Sequence, residues 1–219
     1  MHAAAETPGR ITAARNSLED ERLLRAGVAE VRAAVLSDRT VSVGVGVRGE
    51  PAYVVRGRAA GLAGVRRSTG GSGVLHLPGD LVWSVVLPRT DPRVGRDYAR
   101  AYGRLGRCVV RFLAARGADA RWAPAPGLVE EYCVLSSRGE VLTVGARILG
   151  GAAQHATARA LLHQGMIARR VDADLLGRVF GLVAPSILGR LTGTEELGIE
   201  VPPEVLATEL RDELAAEFL

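Results

Sequence analysis

Two arginines, a glycine-rich turn and a histidine follow one another in RRSTGGSGVLHLPGD, residues 66–80. Gly70 and Gly71, with Gly73 close behind, let backbone N–H groups approach an anion or a carboxylate, and Arg66 and Arg67 can neutralise it. His76 lies just beyond, in an apolar stretch that looks like a strand. A second stretch, VGARILGGAAQ at 144–154, repeats the order of strand, basic residue and small residues, with Arg147 ahead of Gly150, Gly151 and Ala152. Two such loops can serve one ligand if the fold brings them together. The plain alternative is an ordinary tight turn beside a satisfied core histidine.

The elements that must position these loops are read from periodicity and caps. Residues 17–36 have a serine cap, early acids and helical apolar spacing, which predicts a helix. Residues 40–47 and 80–88 read as strands, and 51–64 as a turn with a short helix. A helix is predicted over 96–117, with Tyr98, Tyr102, Leu105, Val109, Phe112 and Leu113 on its apolar face and Gly117 as its stop. Residues 128–137 and 139–149 read as strands paired around a Ser-Ser-Arg-Gly turn, and 156–168 mixes helix and strand signals. Helices follow at 172–183 and 202–219, the second opened by prolines that suit a first turn. Glu195 and Glu196, behind Thr194, read as a helix N-terminus. This order predicts an α+β fold with mixed, largely antiparallel sheets flanked by helices. There is no internal repeat and no low-complexity linker, so 171–219 is expected to be a helical C-terminal extension packed on a 1–170 domain.

With 219 residues, 47% of them apolar, the chain can bury a substantial core. Aromatic residues make up 4%, so Leu, Val and Ala must fill that core, which leaves room for cavities. The net charge of +4 is modest and no basic run resembles a nucleic-acid tail. All 28 basic residues are arginine. No mechanism here can use a lysine of the chain's own. Two cysteines make neither a disulfide framework nor a metal site. The first residues lack a secretory apolar core and no apolar span of about 18 residues occurs, which predicts a cytoplasmic protein with no membrane partner.

Taken together, the two loops resemble the lipoate-protein ligases and octanoyl or lipoyl transferases of the biotin/lipoate ligase superfamily. The stretch 66–88 is similar to their double-arginine, Ser/Thr-Gly-Gly, aliphatic-His signature, and 139–167 to their strand, glycine, basic residue and small-residue segment. The resemblance implies a biotin/lipoate ligase-like fold. It also implies transfer of a lipoyl or octanoyl group to the lysine of a lipoyl-domain protein, with an acyl carrier protein as one donor, or ATP and Mg if the enzyme is a ligase. By this resemblance Arg66, Arg67, Gly70, Gly71, His76, Gly150, Gly151, Ala152 and His163 bind substrate. Val74, Leu75, Val82, Ile148 and Leu149 would form an apolar slot.

Arg147 stands where the family carries a lysine facing the acyl carbonyl. Arginine keeps the charge but cannot release a proton, so the alternative is an attenuated homologue that binds an acyl ligand or a lipoyl-domain partner. Cys133 precedes the second motif at about the interval of the family's cysteine-dependent transferases, which implies a thioester nucleophile, with His76 or His163 as proton partner. A small core residue is the other reading. Cys108, beside Val109 and Val110, reads as core. His155 is expected to be exposed and His163 to lie near the pocket, with Gln164 inserted where the family's glycine directly follows that histidine.

Overall fold

The computed structural model describes residues 9–93 and 98–219. After the short strand β1 (Arg10–Ile11), helix α1 (Ala13–Ala26) begins behind Thr12, whose hydroxyl accepts the Arg15 N–H, and ends at Gly27 in the left-handed region, φ 69°. The helix expected over 17–36 is therefore two elements. Its second half is strand β2 (Glu30–Leu36), paired antiparallel with β6 (Leu81–Pro88). Ala33 and Ala34 favour helix, but pairing to a central strand outweighs that preference.

Strand β3 (Thr40–Gly44), helix α2 (Ala52–Ala59), β4 (Ala63–Arg67) and β5 (Gly73–His76) come next, and the three strands form a small sheet ordered β4-β3-β5. Helix α3 (Tyr98–Ala114) falls in the predicted segment, whose first two residues lie outside the described ones. Strands β7 (Ala120–Pro124), β8 (Glu140–Val144), β9 (Arg147–Ala156) and β10 (Ala160–Ile167) complete a seven-stranded sheet ordered β1-β2-β6-β10-β9-β8-β7. All its neighbours are antiparallel except β1 and β2. The mixed-signal segment is thus a strand, buried at the sheet's centre.

The expected strand at 128–137 is absent. Cys133–Leu135 form one 3₁₀ turn, closed by the Leu135 N–H on the Tyr132 carbonyl and by the Ser136 hydroxyl on the Cys133 carbonyl at 2.8 Å, while β8 pairs with β7. Helices α4 (Ala173–Phe180), α5 (Pro185–Leu188) and α6 (Pro203–Phe218) follow. Glu195 and Glu196 lie in a turn instead of a helix; Glu196 accepts the Gly193 N–H and Glu195 pairs with Arg169.

Strand alternation divides the large sheet. Trp83, Val85 and Leu87 of β6 join α3, α6 and the buried Cys108 in the main core. Leu206, Leu210, Leu214 and Phe218 of α6 belong to that core. Val82 and Val86 point to the other face, toward α1. A second core fills the space between α2, α4, the small sheet and the 3₁₀ turn. No helix among the described residues is long and apolar enough to cross a membrane.

Candidate functional site

A cavity of about 90 Å³ lies on the α1 side of the large sheet, against the small sheet. That is several times the ~10–15 Å³ that one water needs. Its apolar wall includes Ala13, Leu36, Val74, Val82 and Met166, one residue from each of five elements. It opens into a wider cleft of about 990 Å³, lined by Gly70, Gly71, Tyr102, Glu130 and Gln154 among others. Cys133, Arg138, Glu140, Ala152 and Ala153 border both spaces. Among the described residues, no three His, Cys, Asp or Glu are grouped to hold a metal ion.

The glycine loop and the 3₁₀ turn meet at Cys133. Arg67, 8% exposed, directs Nη2 to the Gly70 carbonyl at 2.7 Å and to Cys133 Sγ at 4.0 Å. Its Nη1 donates to Ser42 Oγ at 3.1 Å. Ser42 Oγ lies 2.8 Å from His76 Nε2. The Ser42 hydroxyl thus links the Arg67 guanidinium to the His76 ring. His76 is neutral over the working pH range: burial, helped by the Arg67 charge, pushes it down to about 3. Gly71, at φ +94°, lets this packing exist, since a Cβ there would sit 2.6 Å from Cys133 Sγ.

The opposite wall is a buried polar network. Thr69 Oγ1 donates to Gln164 Oε1 at 2.8 Å, and Gln164 Nε2 donates to Asp20 Oδ2 at 2.7 Å. Asp20 Oδ1 accepts from Arg32 at 2.8 Å. Burial raises Asp20 to about 6, with Arg32 opposing. Next to the main cavity is a smaller one, where buried Asp80 accepts the N–H groups of Leu77 and Arg169 at 2.8 and 2.9 Å; burial raises it to about 7.

The residues singled out in the sequence divide among these places. Arg67, His76, Cys133, Gly151 and Ala152 border the cavity, and Gly70 and Gly71 the cleft. Val74 and Val82 line the cavity, but Leu75, Ile148, Leu149 and Gly150 line the smaller one. Arg66 turns away, donating to the carbonyls of Gly44, Val47 and Gly49, and so ties down the 44–49 segment. Arg147 lies outside both spaces. It opens β9 opposite Val144, at the β8–β9 turn, and its side chain is exposed.

His163 also departs from expectation. It is fully buried on the α3 face of the sheet, its ring edge-on to Tyr102 at 5.0 Å, and burial pushes it down to about 3. Alternation along β10 gives the cavity side to Gln164. His155 is half-buried instead of exposed; its Nδ1–H donates to the Ser68 carbonyl at 2.5 Å, joining the end of β9 to the glycine loop. Sequence reading missed Ser42, Thr69, Gln164, Arg138 and Glu140, whose only signals are strand parity and nearness in sequence to Arg67 or Cys133.

Residues 26–216 match the lipoyl protein ligase A/B catalytic domain. Octanoyltransferase LipM of Geobacillus kaustophilus is 30% identical over 129 residues, 55% of this chain and 46% of that protein. LipM of Staphylococcus aureus is 29% identical over 125 residues, 53% and 45% of the two chains. The chain spans about half the length of these curated relatives. A Thermoplasma acidophilum protein solved with bound lipoic acid shares the fold, with a TM-score of 0.73 and 23% identity over 98% of this chain and 83% of that one. Lipoate-protein ligase A bound with ATP superposes with a TM-score of 0.71 and 25% identity, over 90% and 77%. That family match, which runs over most of the chain, places the protein in the lipoyl protein ligase A/B catalytic-domain family.

Proposed function

We propose that the protein transfers an octanoyl or lipoyl group to the lysine of a lipoyl-domain protein through a thioester on Cys133. The observation that carries this reading is the position of Cys133, at the junction of an apolar cavity and an open cleft, with the buried Arg67 guanidinium 4.0 Å from its sulphur. The cavity suits an aliphatic chain, and the cleft gives the donor and the acceptor lysine access to the carbonyl.

In the first step Cys133 sulphur attacks the carbonyl carbon of an acyl-carrier thioester. The new C–S bond replaces the carrier's, and the carrier leaves as a thiol with the proton Cys133 gives up. In the second, the lysine amine attacks the acyl-Cys133 carbonyl; an amide forms, Cys133 recovers a proton, and the remaining ammonium proton passes to solvent through the cleft. Arg67 keeps a positive charge beside the sulphur throughout. Glu130 and Glu140 put negative charge along the path of the incoming ammonium. His76, neutral and bonded to Ser42, orients Arg67 and exchanges no proton.

A thiol nucleophile favours a carrier thioester, such as acyl carrier protein, over an adenylate made with ATP and Mg, and a cytoplasmic setting keeps that thiol reduced. The test is mass spectrometry after mixing the protein with octanoyl-carrier and no ATP. One acyl mass on the wild type, none on Cys133→Ser, and octanoylation of an added lipoyl domain are expected. An acyl mass that persists in Cys133→Ser, or transfer that requires ATP, overturns the thioester route.

A further inference from the structure

We propose that Arg138, not Arg147, holds the acyl carbonyl oxygen as it gains negative charge, an inference that rests on the acyl-transfer reading above. The chain has no lysine to do this. Among the described residues, two arginines border the cavity, Arg67 and Arg138. Arg67 is committed to Ser42 and Gly70 through both terminal nitrogens. Arg138 is exposed and borders both the cavity and the cleft, as Cys133 does. Among the described residues its guanidinium makes no hydrogen bond or close ion pair and acts on the Glu130 carboxylate through its charge alone; its backbone N–H donates to Ser136 Oγ at 3.4 Å.

This placement matches what the reaction lacks. The reacting carbon is bonded directly to Cys133 sulphur, so its oxygen lies at the opening that Arg138 borders. A guanidinium presents several N–H donors in a fixed plane and needs to lose no proton to stabilise an oxyanion. The proton travels with the leaving thiol, so an always-charged group suffices. Arg138 lies on the loop that follows the Cys133 3₁₀ turn and leads into β8, so nucleophile and donor stay in one short segment. Arg147, exposed at the far end of β8, borders neither space.

The experiment compares single-turnover formation of acyl-Cys133 from octanoyl-carrier in the full chain and three variants. Arg138→Gln should slow acylation by about a hundredfold or more, the range seen when one oxyanion donor is lost. Arg138→Lys should recover at least about tenfold of that, because the charge returns. Arg147→Gln should stay within about twofold of wild type. Thermal melting should be unchanged in all three, since both arginines are exposed. Equal acylation by Arg138→Gln and wild type, or a collapse in Arg147→Gln instead, overturns the assignment. A wild type that forms no acyl-Cys133 at all overturns the thioester route itself, and this assignment with it.

Discussion

Arg67 Nη2 stands 4.0 Å from Cys133 Sγ, and the backbone of Gly71 passes close enough to both that a single added carbon would overlap them. A buried cation and a thiol on segments 66 residues apart in sequence are held together by the absence of a side chain.

Gly71→Ala is therefore expected to fail twice. Its Cβ would sit 2.6 Å from Cys133 Sγ and 2.7 Å from Arg67 Nη2, and φ +94° is a conformation alanine resists. We expect a stability loss of about 1–3 kcal/mol and at least tenfold slower Cys133 acylation, on the order of 1.4 kcal/mol or more. At Gly70 a Cβ would meet nothing within 4 Å. Gly70→Ala should stay within about 0.5 kcal/mol of wild type. Urea melts of the two variants check the contrast, and equal melts would refute it.

The cavity should measure the acyl chain. Val74 lines it and is 8% exposed. Val74→Phe extends a ring into the space, so octanoyl transfer to Cys133 should fall by at least about tenfold while butyryl transfer stays within about threefold. Parallel loss for both lengths would mean that the chain does not enter this cavity.

Glu140→Gln removes a carboxylate that borders the cavity and the cleft beside Cys133. The expected result is a KM for the lipoyl-domain acceptor raised about threefold or more, with acylation of Cys133 unchanged. The effect should shrink as salt rises. An altered acylation rate with an unchanged acceptor KM would contradict it.

Stability against pH follows from buried groups of opposite kind. Asp80 is raised from 3.8 to about 7, so its contribution is full below the unfolded value and is lost as pH rises through the folded one. Asp20, raised from 3.8 to about 6, behaves alike. His76 and His163, lowered from 6.5 to about 3, contribute fully above 6.5 and lose it as pH falls toward 3. The two sets oppose each other between about pH 4 and 6. Asp80→Asn removes one declining contribution, so the variant's unfolding free energy, relative to wild type, should rise across that window by at most about 1.4 kcal/mol per pH unit. Denaturant melts at three pH values check the slope, and a relative stability that falls with pH would refute the assignment.

Much of this arrangement was legible before the fold was known. The aliphatic run of β6, the apolar stripe of α3 and the prolines opening α6 each named their element, and the glycine loop and Cys133 pointed to residues that border the cavity and the cleft. What escaped reading depended on partners distant in sequence. EVRAAVL looks helical until β6 supplies hydrogen bonds along its length. The segment around Cys133 has strand-like composition but folds back on itself through the Ser136 hydroxyl. His163 and Gln164 are adjacent, yet strand parity sends one to α3 and the other to the cavity. Motif spacing aligns Arg147 with a catalytic charge, but says nothing of which way a side chain leaves the end of a strand.

The cavity wall of Ala13, Leu36, Val74, Val82 and Met166 is a small hydrophobic core in its own right, assembled from α1, β2, β5, β6 and β10. An acyl chain seated among them would act as a detachable part of the protein interior, packed between the two sheets. If an acyl chain seats there, it adds apolar contacts to the interior, and the expected outcome is a higher melting temperature for the acylated protein than for the free one.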